Sequence, residues 1–173
     1  MRNTIQAACT ILALTGAASG DAAVAHPQTA PVVRTIISAG SAESAPDTSL
    51  TLYSGPAADL RWRGAGQLTK TLSLCVASTT GRYRLTVLSE RGGPANGASV
   101  IPCTLTFTDG VGVEQTKSTK NSPAVFFDGQ ALPAADCAHG ANATLVLTLD
   151  QQDLAAGVAG DYGDSLRFAV DKR

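Results

Sequence analysis

Apolar and polar residues alternate with a period of two through much of this chain, and segments so patterned bury one face as β-strands. The clearest case lies near the C-terminus. Ala143–Leu149 reads ATLVLTL, Asp150–Gly157 reads DQQDLAAG, and Gly160–Val170 reads GDYGDSLRFAV. That is an alternating strand, a connection rich in Gly, Ala and Asp, and a second alternating strand. The pattern recurs upstream. Leu68–Ala77 sets Leu68, Leu72, Leu74 and Val76 on one face, interrupted by Lys70, with Thr69, Thr71, Ser73 and Cys75 on the other. Arg82–Leu88 sets Tyr83, Leu85 and Val87 against Arg82, Arg84 and Thr86, and Val100–Thr108 aligns Ile101, Cys103, Leu105 and Phe107. Pro102 predicts an edge position or a late start for that strand, because proline has no N–H for a ladder. Shorter runs at Leu50–Tyr53, Leu60–Arg63 and Ala124–Phe127 each precede turn residues, and Gly92–Gly97 reads as a loop. No window of about a dozen residues carries a 3.6-residue period. Helix is expected only for a turn or so around Gln151–Ala156. About eight short strands with frequent turns predict an all-β sandwich or a small barrel.

The first 25 residues have a different character. Ile5–Ala18 is apolar and small, one Arg precedes it, and Ala23-Val24-Ala25 is a small-x-small cleavage site. This is the pattern of a secretory signal peptide, too short to span a bilayer, which takes about 20 residues. Export is therefore expected, with no membrane anchor. Cleavage after Ala25 would leave a Pro- and Ser-flanked arm at 26–49, in which Val32–Ile37 is an apolar island, and a domain at 50–173. A formal net charge of −1 with 16% charged residues offers no electrostatic case for binding nucleic acid or an anionic membrane.

Three cysteines follow the leader: Cys75, Cys103 and Cys137. An exported chain with three can form one bridge and leave one thiol over. Cys103 lies between Ile101 and Leu105 on an apolar face, where a free cysteine behaves as a small buried hydrophobe. Cys75 faces away from its leucines, and Cys137 sits in a loop-like stretch. The pattern favours Cys75–Cys137 over either pairing with Cys103.

Catalytic groups are scarce. The histidines are His26 and His139, and there is no G-x-S-x-G, H-E-x-x-H or C-x-x-C motif. Cys137-Ala138-His139 lacks a second pair of metal ligands, as would an N-terminal His26. Asp150, Asp153, Asp161 and Asp164 do not follow calcium-loop spacing and fit turn caps better. Asn142-Ala143-Thr144 matches a glycosylation sequon. No enzyme activity, cofactor or metal is expected.

Three stretches together resemble a known group: Leu72–Leu85 (LSLCVASTTGRYRL), Pro102–Gly110 (PCTLTFTDG) and the ending DLAAGVAGDYGDSLRFAV. The last is similar to the ending of bacterial chaperone–usher pilins, where a G-x-Y-x-D-x-L motif leads into an alternating strand. Gly160, Tyr162, Asp164 and Leu166 match it, followed by Phe168 and Val170. Within that group the chain looks most like the spore-coat-U-like and related fimbrial subunits. The resemblance implies an immunoglobulin-like β-sandwich lacking its last strand, and the chain ends three residues after Val170. Tyr162, Leu166, Phe168 and Val170 would then wall a hydrophobic groove. A periplasmic chaperone would fill it first, an outer-membrane usher would handle the subunit, and a neighbouring subunit's N-terminal segment would finally occupy it. Val32, Val33, Arg34, Thr35, Ile36 and Ile37 are the candidate donor strand, although their paired apolar residues alternate poorly and fit a first strand equally well. The implied function is a structural subunit of a fimbria or surface coat; the alternative is a monomeric secreted sandwich that binds a ligand.

Overall fold

Burial follows the alternation strand by strand. Ala143, Leu145, Leu147 and Leu149 are buried along one strand, Cys103, Leu105 and Phe107 along another, and Tyr83, Leu85 and Val87 along a third, with partly exposed or exposed residues between them. The computed structural model describes residues 32–37, 47–53, 57–132 and 137–173; the segment read as a leader, the cleavage site expected after Ala25, His26 and the rest of the arm lie outside these. In chain order the elements are β1 (Val32–Ile37), β2 (Thr48–Leu52), β3 (Ala57–Arg61), β4 (Leu68–Ser78), β5 (Arg82–Ser89), β6 (Ala95–Asn96), β7 (Ser99–Val100), β8 (Cys103–Thr108), β9 (Glu114–Ser118), β10 (Ala124–Gln130), β11 (Ala143–Leu149), α1 (Gln151–Ala156), β12 (Asp161–Tyr162) and β13 (Ser165–Lys172).

The strands form an all-β sandwich rather than a barrel. One sheet runs β10-β5-β13-β1, with β3 and β12 also paired to β1; the other runs β2-β4-β11-β8-β9. β6 and β7 make a small hairpin of their own. The inner faces close over one core, in which Leu72, Leu74, Leu85, Leu105, Phe107, Leu145, Leu147 and Phe127 are fully buried. Burying a side chain of this size stabilises the fold by about 1.5–3 kcal/mol. Phe107 stands at the centre, 5.3 Å from the Phe127 ring and 6.4 Å, edge-on, from Tyr83.

The differences from the sequence reading have local causes in all but one case, β9. The strand expected at Val100–Thr108 divides at Pro102, so β8 starts at Cys103, the late start that a missing N–H requires. Gly160–Val170 also divides, because Gly163 and Asp164 interrupt the run between β12 and β13. β2 begins at Thr48, two residues inside the stretch read as arm. The Gly92–Gly97 stretch, read as a loop, contains β6. β9 has no alternation to betray it: Glu-Gln-Thr-Lys-Ser is polar throughout and becomes a strand through five pairs with β8. α1 occupies the one place where a helical turn is expected, and it buries Leu154.

Tyr83 and Gly129 pair across β5 and β10. The Tyr83 ring lies over the glycine, so closely that a Cβ there would stand 2.5 Å from the ring. Burial, and secondarily the charge of Asp109, push the Tyr83 hydroxyl well above the usual tyrosine range. Its oxygen is buried without a hydrogen-bond partner among the described residues, the neighbouring Gly110 N–H being committed to the Gln130 carbonyl at 3.0 Å. Gly129→Ala is expected to lower unfolding free energy by about 1–3 kcal/mol, the usual effect of overpacking, measured by urea denaturation.

Cys75 of β4 and Cys137 form the disulfide, with Cα atoms 5.5 Å apart, and Cys103 remains a buried free thiol. The bridge closes a long segment of 62 residues' separation and fastens the Cys137–His139 turn to the second sheet. The Tyr53 hydroxyl donates to the Cys137 carbonyl and holds the same turn from β2's end. Replacing both bridge cysteines by serine is expected to remove about 4 kcal/mol of stability on the loop-entropy estimate, read from the shift in denaturation midpoint.

Candidate functional site

β13 is bonded along one side to β5, from Leu166 opposite Ser89 to Lys172 opposite Tyr83. Ser165 and Arg173 mark which groups serve that side: the Ser165 carbonyl accepts from the Glu90 N–H, and the Arg173 N–H donates to the Arg82 carbonyl, both at 3.3 Å. By strand alternation the N–H and C=O of Leu166, Phe168, Val170 and Lys172 face the other side. There β1 runs parallel to β13 and pairs only with its start, Ile36 with Ser165 and Ile37 with Leu166. The same register carries β1 past β12, Val32 opposite Asp161 and Val33 opposite Tyr162. On its far side β1 takes five antiparallel pairs from β3. The segment read from sequence as either donor or first strand thus lies between β3 and the C-terminal strand. From Arg167 to Lys172 that side of β13 has no strand partner among the described residues. Two contacts from the other sheet rim it: the Thr48 hydroxyl donates to the Val170 carbonyl at 3.3 Å, and Lys172 pairs with Asp47 at 2.7 Å.

The opposite edge of the same sheet is blunted. Along β10 the Lys117 ammonium donates to the Phe126 carbonyl, the Gln115 amide donates to the Asp128 carbonyl at 2.6 Å, and the Gln130 N–H donates to Asp109 at 2.9 Å. The Ser122 hydroxyl donates to the Ala124 carbonyl at 2.9 Å. Asp109 also accepts from the N–H groups of Val111 and Val113, so one buried carboxylate ties the β8–β9 turn to this edge. Side chains occupying edge groups in this way leave little for another strand to bond.

The G-x-Y-x-D-x-L residues converge on the entry to β13. Gly160 has φ +151, and a Cβ there would run into the Asn96 amide. Tyr162 is buried in β12, donates to the Val158 carbonyl at 2.7 Å and shares a 3.0 Å hydrogen bond with Ser99. Asp164 is only 7% exposed; it accepts from the Ser89 hydroxyl at 2.7 Å and from the Ser165 N–H at 2.9 Å. Burial pushes its carboxyl above the usual range, against the Ser89, Ser165 and Glu90 hydrogen bonds, and the charge of Glu90 raises it further. Burial, then the charge of Asp164, also raise the Cys103 thiol, which keeps it protonated and inert.

Leu166, Phe168 and Val170 all point into the core from β13, whereas Tyr162 stands apart from them in β12. Asp164 is an interior anchor rather than the turn cap read from sequence. Asp150 occupies the N-cap position of α1 but makes no side-chain cap bond. The sequon asparagine is committed elsewhere: Asn142 accepts from the Val76 N–H at 2.9 Å and donates to the Val76 carbonyl at 2.8 Å, extending the β4–β11 ladder as a strand residue would. Among the described residues no three His, Cys, Asp or Glu side chains are grouped to hold a metal. The edge-capping residues Gln115 and Lys117 went unseen, since they belong to the polar β9.

A carboxyl raised on folding stabilises the native state fully below its unfolded value, and that contribution fades as pH climbs through the raised value. The melting temperature of the wild type relative to Asp164→Asn is therefore expected to increase as pH falls from neutrality toward the ordinary carboxylate range near 4. Thermal melts across that range check it; a constant difference would show the carboxyl unshifted.

No protein-family model matches this chain, and no curated protein matches it significantly.

Proposed function

We propose that the chain is an exported structural subunit that joins copies of itself by strand exchange at the β13 edge, building a fimbria or surface coat. The observation that carries this reading is the asymmetry of one sheet. Its β10 edge is capped by Lys117, Gln115, Ser122 and Asp109, while its β13 side holds a short N-terminal segment over only two residue pairs. An edge strand left open is a template for another chain, and β-augmentation uses such edges for binding. In this reading β1 is the exchangeable strand, and Leu166, Phe168 and Val170 form the wall against which a replacement packs. The resemblance in the G-x-Y-x-D-x-L region adds a periplasmic chaperone, an outer-membrane usher and neighbouring subunits as partners. Nothing in the site calls for a nucleophile, base or cofactor.

Deletion of residues 26–40 provides the test. The mature protein is expected to form oligomers when refolded at high concentration without a chaperone. The deletion variant is expected to stay monomeric, melt at lower temperature, and regain stability on adding a peptide of residues 30–40. Size-exclusion chromatography and thermal melts supply the readout. A deletion variant that melts like the mature protein and ignores the peptide would show β1 to be dispensable and the edge to be no acceptor.

A further inference from the structure

The two outer faces of the sandwich differ in chemistry. On the first sheet, register aligns Asp128 of β10, Arg84 of β5 and Asp171 of β13 in one row, with Arg84 paired to Asp128 at 2.8 Å; Arg82 lies in the next row and Arg167 two rows away on the other side. On the second sheet the three central strands present nine outward positions: Thr69, Thr71 and Ser73 of β4, Thr144, Val146 and Thr148 of β11, and Thr104, Thr106 and Thr108 of β8. Seven of the nine are threonine and none is charged. Register arranges them in three rows, Thr69–Thr148–Thr104, Thr71–Val146–Thr106 and Ser73–Thr144–Thr108, which β9 extends with Ser118, Thr116 and Glu114. Every one of these side chains is exposed or half-buried, while the residues between them on β8 and β11 are buried.

The strand propensity of threonine explains its presence on strands. It does not explain the lack of any charge at the nine outward positions of the three central strands, when the outer face of the first sheet keeps its charges and solubility favours them. The result is a grid of hydroxyl and methyl groups with steps of about 4.8 Å across strands and about 6.8 Å along them. Threonine is stiff at χ1, so the grid is set before any partner arrives, and the Thr106 and Thr116 hydroxyls are locked together at 2.9 Å.

A partner for this grid must be uncharged and periodic in two dimensions. A second copy of the chain fits poorly, because the grid covers only a few hundred Å2, well short of the roughly 800 Å2 per partner of a stable interface. A crystalline polysaccharide would be gripped by flat aromatic rings, and no aromatic residue lies among these positions. A lattice of water molecules meets the requirement: hydroxyls can continue its hydrogen bonding while methyl groups sit against it. We propose that the outer face of β4, β11 and β8 is an ice-binding surface, bounded on the β9 side by Glu114. It lies on the opposite sheet from the β13 edge and stands independently of strand exchange.

The test uses the mature protein, fluorescently labelled, in adsorption to single ice crystals and in assays of ice recrystallisation. Wild type is expected to coat the crystal and slow recrystallisation. Thr106→Lys and Thr71→Lys, the latter at an exposed site that tolerates a long side chain, are expected to require at least tenfold more protein for the same effect. Thr86→Lys, on the outer face of the first sheet, is expected to behave as wild type. Melting temperatures confirm that each variant is folded. Exclusion of the wild type from ice overturns the proposal, as do lysine variants that match it. Binding to crystalline cellulose or chitin without ice adsorption also overturns it and assigns the face to polysaccharide.

Discussion

The backbone groups at the rim of a β-sheet must find partners, and that demand organises this molecule more than any single side-chain contact. The first sheet answers it differently at its two ends. At β10, side chains from β9 and from the β8–β9 turn take the outward carbonyls and one N–H. At β13 backbone supplied by β1 serves only the start of the strand, and beyond it the Thr48 hydroxyl takes the Val170 carbonyl. Side-chain caps need only neighbours in the sandwich. A backbone partner must be delivered as a strand, and a strand supplied from a chain end can in principle come from another molecule.

The entry to β13 is correspondingly rigid. Gly160, Tyr162 and Asp164 fix the turn through a positive φ, two hydrogen bonds of the Tyr162 hydroxyl and a buried carboxylate. These contacts set the register in which β12 and β13 meet β1 across Gly163 and Asp164. The disulfide plays a similar part on the second sheet, where it fastens the turn before β11 to β4. With its strands secured by ladders, bridge and core, that sheet needs no charged pairs on the outer face of its central strands, which leaves its threonine rows free to take on a role of their own.

Much of the fold was legible because the side-chain period is local. Tyr83, Leu85 and Val87, or Leu145, Leu147 and Leu149, declare their face within five residues, and Pro102 declares the start of β8. Cys103 reads as buried from its neighbours, which narrows the bridge to Cys75 and Cys137. β9 was illegible for the same reason: its residues have no apolar face, and only pairing with β8 makes them a strand. The interior role of Asp164 was equally hidden, because its partner Ser89 lies 75 residues away. Asn142 reads as a sequon in isolation and proves to be a strand residue only beside Val76.

By itself, then, the sequence determined where the alternating strands run, which faces they bury, and which two cysteines stand in a position to join, since each of these depends on residues within one strand or turn. Tertiary structure alone decided that Val32–Ile37 lies against the start of β13, that β10 is capped by side chains while β13 meets β1 over two pairs only, and that threonines from three separate strands fall into rows. Those outcomes depend on register between segments far apart in the chain, and register is set by the packing of the whole core, which no local pattern encodes.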